Sequence, residues 1–156
     1  MPTLQTLKAH LDAQRIPYEI IHHRRDFTAQ ETAAHTHTPG RLFAKTVIVA
    51  VDHKYCMFVL SANDHIDLEK VRQALKAGEV RIATESEVAH VCEDCEPGAM
   101  PPFGNFYDLP VYVSHKLTQD HMITFNAGTH EEVMRLLYQD YDKLVHPRVL
   151  DFTVAH

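Results

Sequence analysis

Ala44-Lys45-Thr46-Val47-Ile48-Val49-Ala50-Val51 and Tyr55-Cys56-Met57-Phe58-Val59-Leu60-Ser61-Ala62, separated only by Asp52-His53-Lys54, decide the fold class. Both runs are rich in β-branched and aromatic residues, and three polar residues between them suffice for a tight turn, so the pair predicts a β-hairpin. Strands joined that way are antiparallel. A purely parallel, doubly wound sheet, whose strands return through helices, is therefore excluded.

Upstream of the hairpin, Leu4, Leu7 and Leu11 recur at helical spacing and predict a helix over 3–14, with Thr3 as its N-cap. Pro17 follows it, and Tyr18-Glu19-Ile20-Ile21 reads as a short strand. Thr28-Ala29-Gln30-Glu31 has the form of a capping box opening a short helix that stops before Pro39-Gly40. Downstream, Leu68, Val71 and Leu75 place a helix over 67–77, with Gly78 as its stop. A strand is expected over 80–83, and Thr84-Glu85-Ser86-Glu87 is a second capping box. Strands are also expected over 109–114, 122–126 and 149–154. Thr129-His130-Glu131-Glu132 reads as a third capping box, opening a helix that carries Val133, Leu136 and Leu137. The pattern predicts a mixed α/β (α+β) domain built on a curved, mostly antiparallel sheet flanked by helices.

At 156 residues, 45% of them hydrophobic, the chain is expected to form one domain over 1–156 with a core that needs no staples. No apolar run reaches membrane-spanning length, and Met1-Pro2-Thr3-Leu4-Gln5 lacks a signal pattern, so a cytoplasmic protein is expected. Three cysteines argue against a disulfide framework. A net charge of −6 excludes a general nucleic-acid binder but not a protein that grips the end of an RNA through a local patch. No GxGxxG, Walker loop, HExxH or GxSxG element is present.

Asp94-Cys95-Glu96-Pro97-Gly98-Ala99-Met100-Pro101-Pro102-Phe103-Gly104 holds three of the chain's eight prolines and two of its five glycines. It is either a stiff connector or the wall of a site, with bare backbone available at Gly98. Lys45, at the entry to an apolar strand, either points outward from an edge or carries its charge into a cleft. In Phe125-Asn126-Ala127-Gly128-Thr129-His130, His130 is an acid/base or donor candidate, or a solvated first-turn residue. Cys92-Glu93-Asp94-Cys95 invites a zinc or redox reading: zinc needs His35, His37 or His90 to complete the ligands, and a thioredoxin-like role wants the pair at the start of a helix, whereas here it ends one. His22-His23-Arg24-Arg25 is the densest basic run, with Arg41 and Lys116 as supplements for phosphate contacts.

Taken together and in order, Thr28-Ala29-Gln30-Glu31-Thr32-Ala33, Ala44-Lys45-Thr46-Val47, the loop from Asp94 to Gly104 and Phe125 to His130 resemble the YbaK/EbsC family. These are aminoacyl-tRNA deacylases related to the editing domain inserted in bacterial prolyl-tRNA synthetases. The resemblance runs from about Tyr18 to about Phe152. It implies the YbaK/prolyl-tRNA synthetase-associated domain fold and a cleft for the 3′ end of a charged tRNA. Lys45 matches the family's essential lysine and Gly98 its glycine–proline loop, whose backbone holds the aminoacyl group.

On the same resemblance Thr28, Glu31, Ala99, Met100, Pro101, Phe103, Gly128, Thr129 and His130 fall on the substrate side, and Arg24 and Arg25 on the tRNA phosphates. The chain departs from branches with two glycines before the proline, since Glu96-Pro97 precedes a single Gly98. The implied reaction is hydrolysis of a mischarged aminoacyl-tRNA ester, helped by the substrate's own ribose hydroxyl. No cofactor or metal is implied. A synthetase or an elongation factor is the expected protein partner, and no membrane is involved. Two alternatives stand beside this reading: a non-catalytic tRNA- or ligand-binding module of the same fold, and a zinc-binding domain using Cys92 and Cys95.

Overall fold

The computed structural model describes residues 3–22 and 43–155. Arg24, Arg25, Thr28 and Glu31, with the first capping box and Arg41, lie outside the described residues. The described elements are α1 (Thr3–Ala13), β1 (Glu19–His22), β2 (Ala44–Val51), β3 (Lys54–Ser61), β4 (Asp64–Ile66), α2 (Leu68–Leu75), β5 (Val80–Ile82) and α3 (Glu85–Val91). Then come β6 (Val111–Ser114), β7 (Met122–Asn126), β8 (Glu132–Leu137), α4 (Tyr138–Val145), β9 (Arg148–Leu150) and β10 (Thr153–Ala155). None of the described helices is long and apolar enough to cross a membrane.

β2 and β3 form the expected hairpin, in register from Ala44↔Ser61 to Val51↔Lys54. They are the centre of a five-stranded sheet of order β5-β2-β3-β6-β9, antiparallel among β5, β2 and β3 and parallel across β3, β6 and β9. A second, antiparallel sheet has the order β1-β8-β7, and β4 pairs with β10. A parallel bridge between Phe43 and Thr124 joins the start of β2 to β7, so the two larger sheets meet along one seam.

Side chains alternate across a strand, so the hairpin must bury two faces. On one face Ala44, Ile48, Met57 and Val59 enter the main core with Leu7 and Leu11 of α1, Ile123 and Phe125 of β7, and Tyr141 of α4. On the other, Val49, Cys56, Phe58 and Leu60 pack with Val71 of α2 and Phe152. Each fully buried Leu, Val or Phe contributes roughly 1.5–3 kcal/mol relative to exposure.

Three expectations need correction. Thr129 to Glu132 opens no helix: Glu132–Leu137 is β8, paired with β7 on one side and β1 on the other. The local capping signal is overridden because Met134 and Leu136 face the main core while Val133 faces the opposite side with Phe43. That division suits period 2 and not a helix. The stop of α2 is Lys76, in the left-handed region at φ 53°, and not Gly78. Gly78 instead lies under the hairpin turn, where its N–H and that of Glu79 each donate to Asp52 Oδ1 at 2.9 Å. The run 149–154 is broken into β9 and β10 at Asp151-Phe152, because Phe152 turns into the second core and its carbonyl accepts from Asp67 N.

The second capping box forms as expected, with Thr84 and Glu87 satisfying each other's backbone N–H groups at the start of α3. Glu87 also takes two bonds from Arg81, at 2.7 and 2.9 Å, and the hydroxyl of Tyr55. The Arg81 guanidinium, the Thr84 N–H and that hydroxyl hold the Glu87 carboxyl well below the usual carboxylate range. A depressed carboxyl stabilises the fold above its unfolded pKa, and that contribution is lost as pH falls toward the folded value. Melting temperature should therefore drop on acidification below the ordinary glutamate range. Glu87→Gln should melt lower at neutral pH and show a shallower acid slope in thermal scans across pH.

Candidate functional site

Cys92 caps α3, and Cys92 and Cys95 are joined by a disulfide. The expectation of unbridged cysteines is thus corrected, and the zinc alternative loses the two thiolates it required. The sulfur of Cys92 also contacts the Tyr107 hydroxyl at 3.3 Å. Among the described residues no group of three or more His, Cys, Asp or Glu could hold a metal ion.

The loop that follows is pinned from below. Ala99 and Phe103 are fully buried, and Met100, Pro101 and Pro102 are buried with them. The Phe103 ring meets Phe125 and Tyr141 edge-on, with centroids 5.6 and 5.4 Å away. The buried Tyr141 hydroxyl donates to the Pro102 carbonyl at 2.7 Å, and burial pushes that phenol's pKa well up, so it stays a donor. Gly104 closes the loop against β6; a Cβ there would stand 2.4 Å from Val111 Cγ2 and 2.6 Å from the Leu109 carbonyl oxygen. Phe103 and Met100 are accordingly foundations of the loop, placed in the main core.

Above this foundation the backbone turns outward. Gly98 is exposed and left-handed, at φ 80°. The loop is tied to the turn after β7 by Gly128, which donates to the Ala99 carbonyl and accepts from Glu96 N–H, both at 2.8 Å. His130 adds a third and a fourth tie. Its N–H donates to Glu96 Oε1 at 2.7 Å, and its ring Nε2 lies 2.6 Å from the Pro97 carbonyl. A carbonyl oxygen only accepts, so Nε2 carries the proton and Nδ1 is left as the free ring nitrogen of the neutral form. Thr129, between them, keeps a 3.5 Å contact with Glu132 Oε1. The N–H groups of Gly98 and Met100 have no acceptor among the described residues.

Lys45 is half-buried on β2, opposite Leu60. Loss of water lowers its pKa, and the negative charge of Asp64 partly opposes the shift. Asp64 is itself buried and receives the Lys116 ammonium at 3.3 Å. Lys45 and Asn126 each follow the Phe43↔Thr124 bridge by two residues, on the bridge-residue face of their own strands. Asn126 is buried with no partner for its Oδ1 among the described residues. Sequence reading missed it as a site residue. Its signal was a carboxamide ending the strand-forming run Met122 to Asn126, two residues before Gly128.

The chain matches the aminoacyl-tRNA editing domain family over residues 23–144. It belongs to that family. Relatives of the editing domain include the proline–tRNA ligase of Shouchella clausii, 30% identical over 84 residues, 54% of this chain and 14% of the ligase. That of Acidithiobacillus ferrooxidans is 26% identical over 116 residues, 74% of this chain and 20% of the ligase. The chain thus spans a fifth or less of the length of these ligases. A crystal structure of a candidate trans-editing enzyme for prolyl-tRNA synthetase superposes with a TM-score of 0.85 over 99% of both chains, at 20% identity. The fold is the mixed α/β fold of that structure.

Two substitutions probe the loop. Gly98→Ala has room, since the new Cβ would sit 3.6 Å from His130 Cε1, but its left-handed backbone costs about 1–2 kcal/mol. Tyr141→Phe leaves the buried Pro102 carbonyl unsatisfied and should cost about 1–3 kcal/mol. Denaturant unfolding should show both losses, and hydrogen exchange should show faster exchange at Glu96 and Gly128 in Tyr141→Phe.

Proposed function

We propose that this protein is a trans-editing hydrolase, acting in the cytoplasm as one domain, that removes the wrong amino acid from a mischarged tRNA. The carrying observation is the exposed backbone at Gly98, whose N–H, like that of the buried Met100 two residues on, has no acceptor among the described residues and whose position is fixed by Gly128 and His130. Such preset donors suit an ester carbonyl on its way to a tetrahedral oxyanion, and one of them is worth roughly 3 kcal/mol in other hydrolases. Water adds to the carbonyl carbon, the ester C–O bond breaks, and the ribose oxygen leaves with a proton. The products are free amino acid and tRNA. No strong nucleophile is needed, because an aminoacyl ester is already activated and positioning supplies much of the rate.

Lys45 supplies the charge for the terminal phosphate or the ester oxygens, and Asn126 beside it offers a further polar contact. His130 is a positioning residue in this scheme: its Nε2 proton is committed to Pro97, so its work is to hold the loop. Ala99, Met100, Pro101 and Phe103 act from beneath, by fixing where Gly98 stands. Thr28, Glu31, Arg24 and Arg25 complete the substrate and phosphate contacts. The proline–tRNA ligases among the relatives favour a mischarged proline tRNA as substrate, with a synthetase or elongation factor as the protein partner. A second pocket of this kind supplies discrimination that a synthetase lacks, since one methylene is worth only about 1–3 kcal/mol.

Release of amino acid from a panel of mischarged tRNAs tests the reading. Wild type should turn over at least one, and Lys45→Ala should lose roughly 100-fold or more in kcat/KM. Full activity in Lys45→Ala sinks the lysine's role, and binding without turnover across the panel leaves only a binding module. Because the Lys45 pKa is lowered, activity should begin to fall at a pH below the ordinary lysine value of 10.5. Asp64→Asn removes the opposing charge and should move that alkaline limb further down.

A further inference from the structure

We propose that the groove at the turn end of the β2–β3 hairpin, remote from Gly98, binds the acceptor-stem phosphates of the tRNA; this rests on the deacylase reading above. The groove has a volume of about 800 Å³. Its polar walls are Lys54, Lys76, Arg148 and Tyr112, with Tyr55, whose hydroxyl is taken up by Glu87, and Asp108 as the lone carboxylate. The three cations come from three elements and are each fixed by backbone: Lys54 by its pairing with Val51, Lys76 by the left-handed cap of α2, and Arg148 by its pairing with Tyr112.

Their convergence on one groove without a neutralising carboxylate sets them apart. Five other cations are held by carboxylates, in Lys70–Asp151, Arg72–Glu69, Arg81–Glu87, Lys116–Asp64 and Arg135–Glu19. Lys54, Lys76 and Arg148 make no ion pair among the described residues, although they are exposed and converge on one groove. The Tyr112 ring is held by stacking on Phe58 with centroids 5.0 Å apart, and its hydroxyl has no partner among the described residues. The rim is therefore three positive charges and a phenol against one carboxylate, in a protein of net charge −6. Such a surface recognises a polyanion by charge and is indifferent to base sequence.

Distance connects the groove to the site. Six residues of β2 separate Lys45 from Val51, which lines the groove, a span of roughly 20 Å. A polynucleotide carries a phosphate at every nucleotide, so several nucleotides of one strand cover that span. One tRNA whose 3′ end is held at Lys45 can then lay its stem phosphates at the groove.

The test is charge reversal, as Lys54→Glu, Lys76→Glu and Arg148→Glu singly and combined, with melting temperature as the check on folding. Binding of uncharged tRNA is titrated against salt, and hydrolysis is compared on mischarged tRNA and on aminoacyl-adenosine, which has no stem. The combined variant should bind tRNA at least ~10-fold more weakly at low salt, and its log K against log salt slope should flatten by about 2–3. KM for mischarged tRNA should rise with kcat held, and aminoacyl-adenosine should be hydrolysed as by wild type. Unchanged tRNA affinity and salt slope in a folded triple variant overturn the proposal. Equal loss on aminoacyl-adenosine also overturns it, since the groove would then act on the reacting end. Absence of hydrolysis by wild type on both substrates removes the deacylase reading instead, while the binding titration still decides the groove.

Discussion

A hairpin buried on both faces has to be covered twice, and β2 with β3 imposes that requirement on everything else in the molecule. One covering is made by α1, α4 and the proline-rich loop, and the other by α2 and Phe152. The two remaining strand systems are fitted around this arrangement. The β1-β8-β7 sheet meets the hairpin only at the Phe43–Thr124 bridge, and beyond that bridge β2 and β7 part. Lys45 and Asn126 stand at this parting. A charged side chain is tolerated there because it sits at the start of β2, next to the seam, with the Asp64 carboxylate close enough to oppose its desolvation.

The chemistry assembled at the seam is mostly main chain. Gly98 offers backbone in a conformation closed to other residues without strain, and the side chains nearby serve to fix it. Tyr141, Phe103 and the two consecutive prolines fix it from the core. Gly128 and His130 fix it from the turn. A hydrolase that works on an activated ester can rely on such a framework, since stabilising a developing charge needs donors that do not have to reorganise.

Much of this was readable from the residues. The hairpin followed from two β-rich runs around three polar residues, and the loop from its proline and glycine content, because both signals are local. The Thr129 box misled for the opposite reason. Its four residues favour a helix start, but Val133 to Leu137 lie between two partner strands, and pairing with distant Ile20 and Phe125 is invisible in a local window. Lys76 took the left-handed cap because Gly78 was needed two residues later under Asp52. The covalent link between Cys92 and Cys95 depends on how α3 ends, and the part played by Glu96 depends on where Gly128 arrives. The second is not encoded nearby in the chain.

Gly128 both donates to the loop and accepts from it, while His130 grips the same loop two residues later. The two walls are thus one rigid piece joined from segments some thirty residues apart in sequence. Such a piece cannot be reshaped one position at a time. Changes at 96, 98, 128 and 130 should be strongly epistatic, so that altered amino-acid preference arises from coordinated replacements while isolated ones merely damage the scaffold. A lineage drifting toward a new substrate would have to move these positions in step.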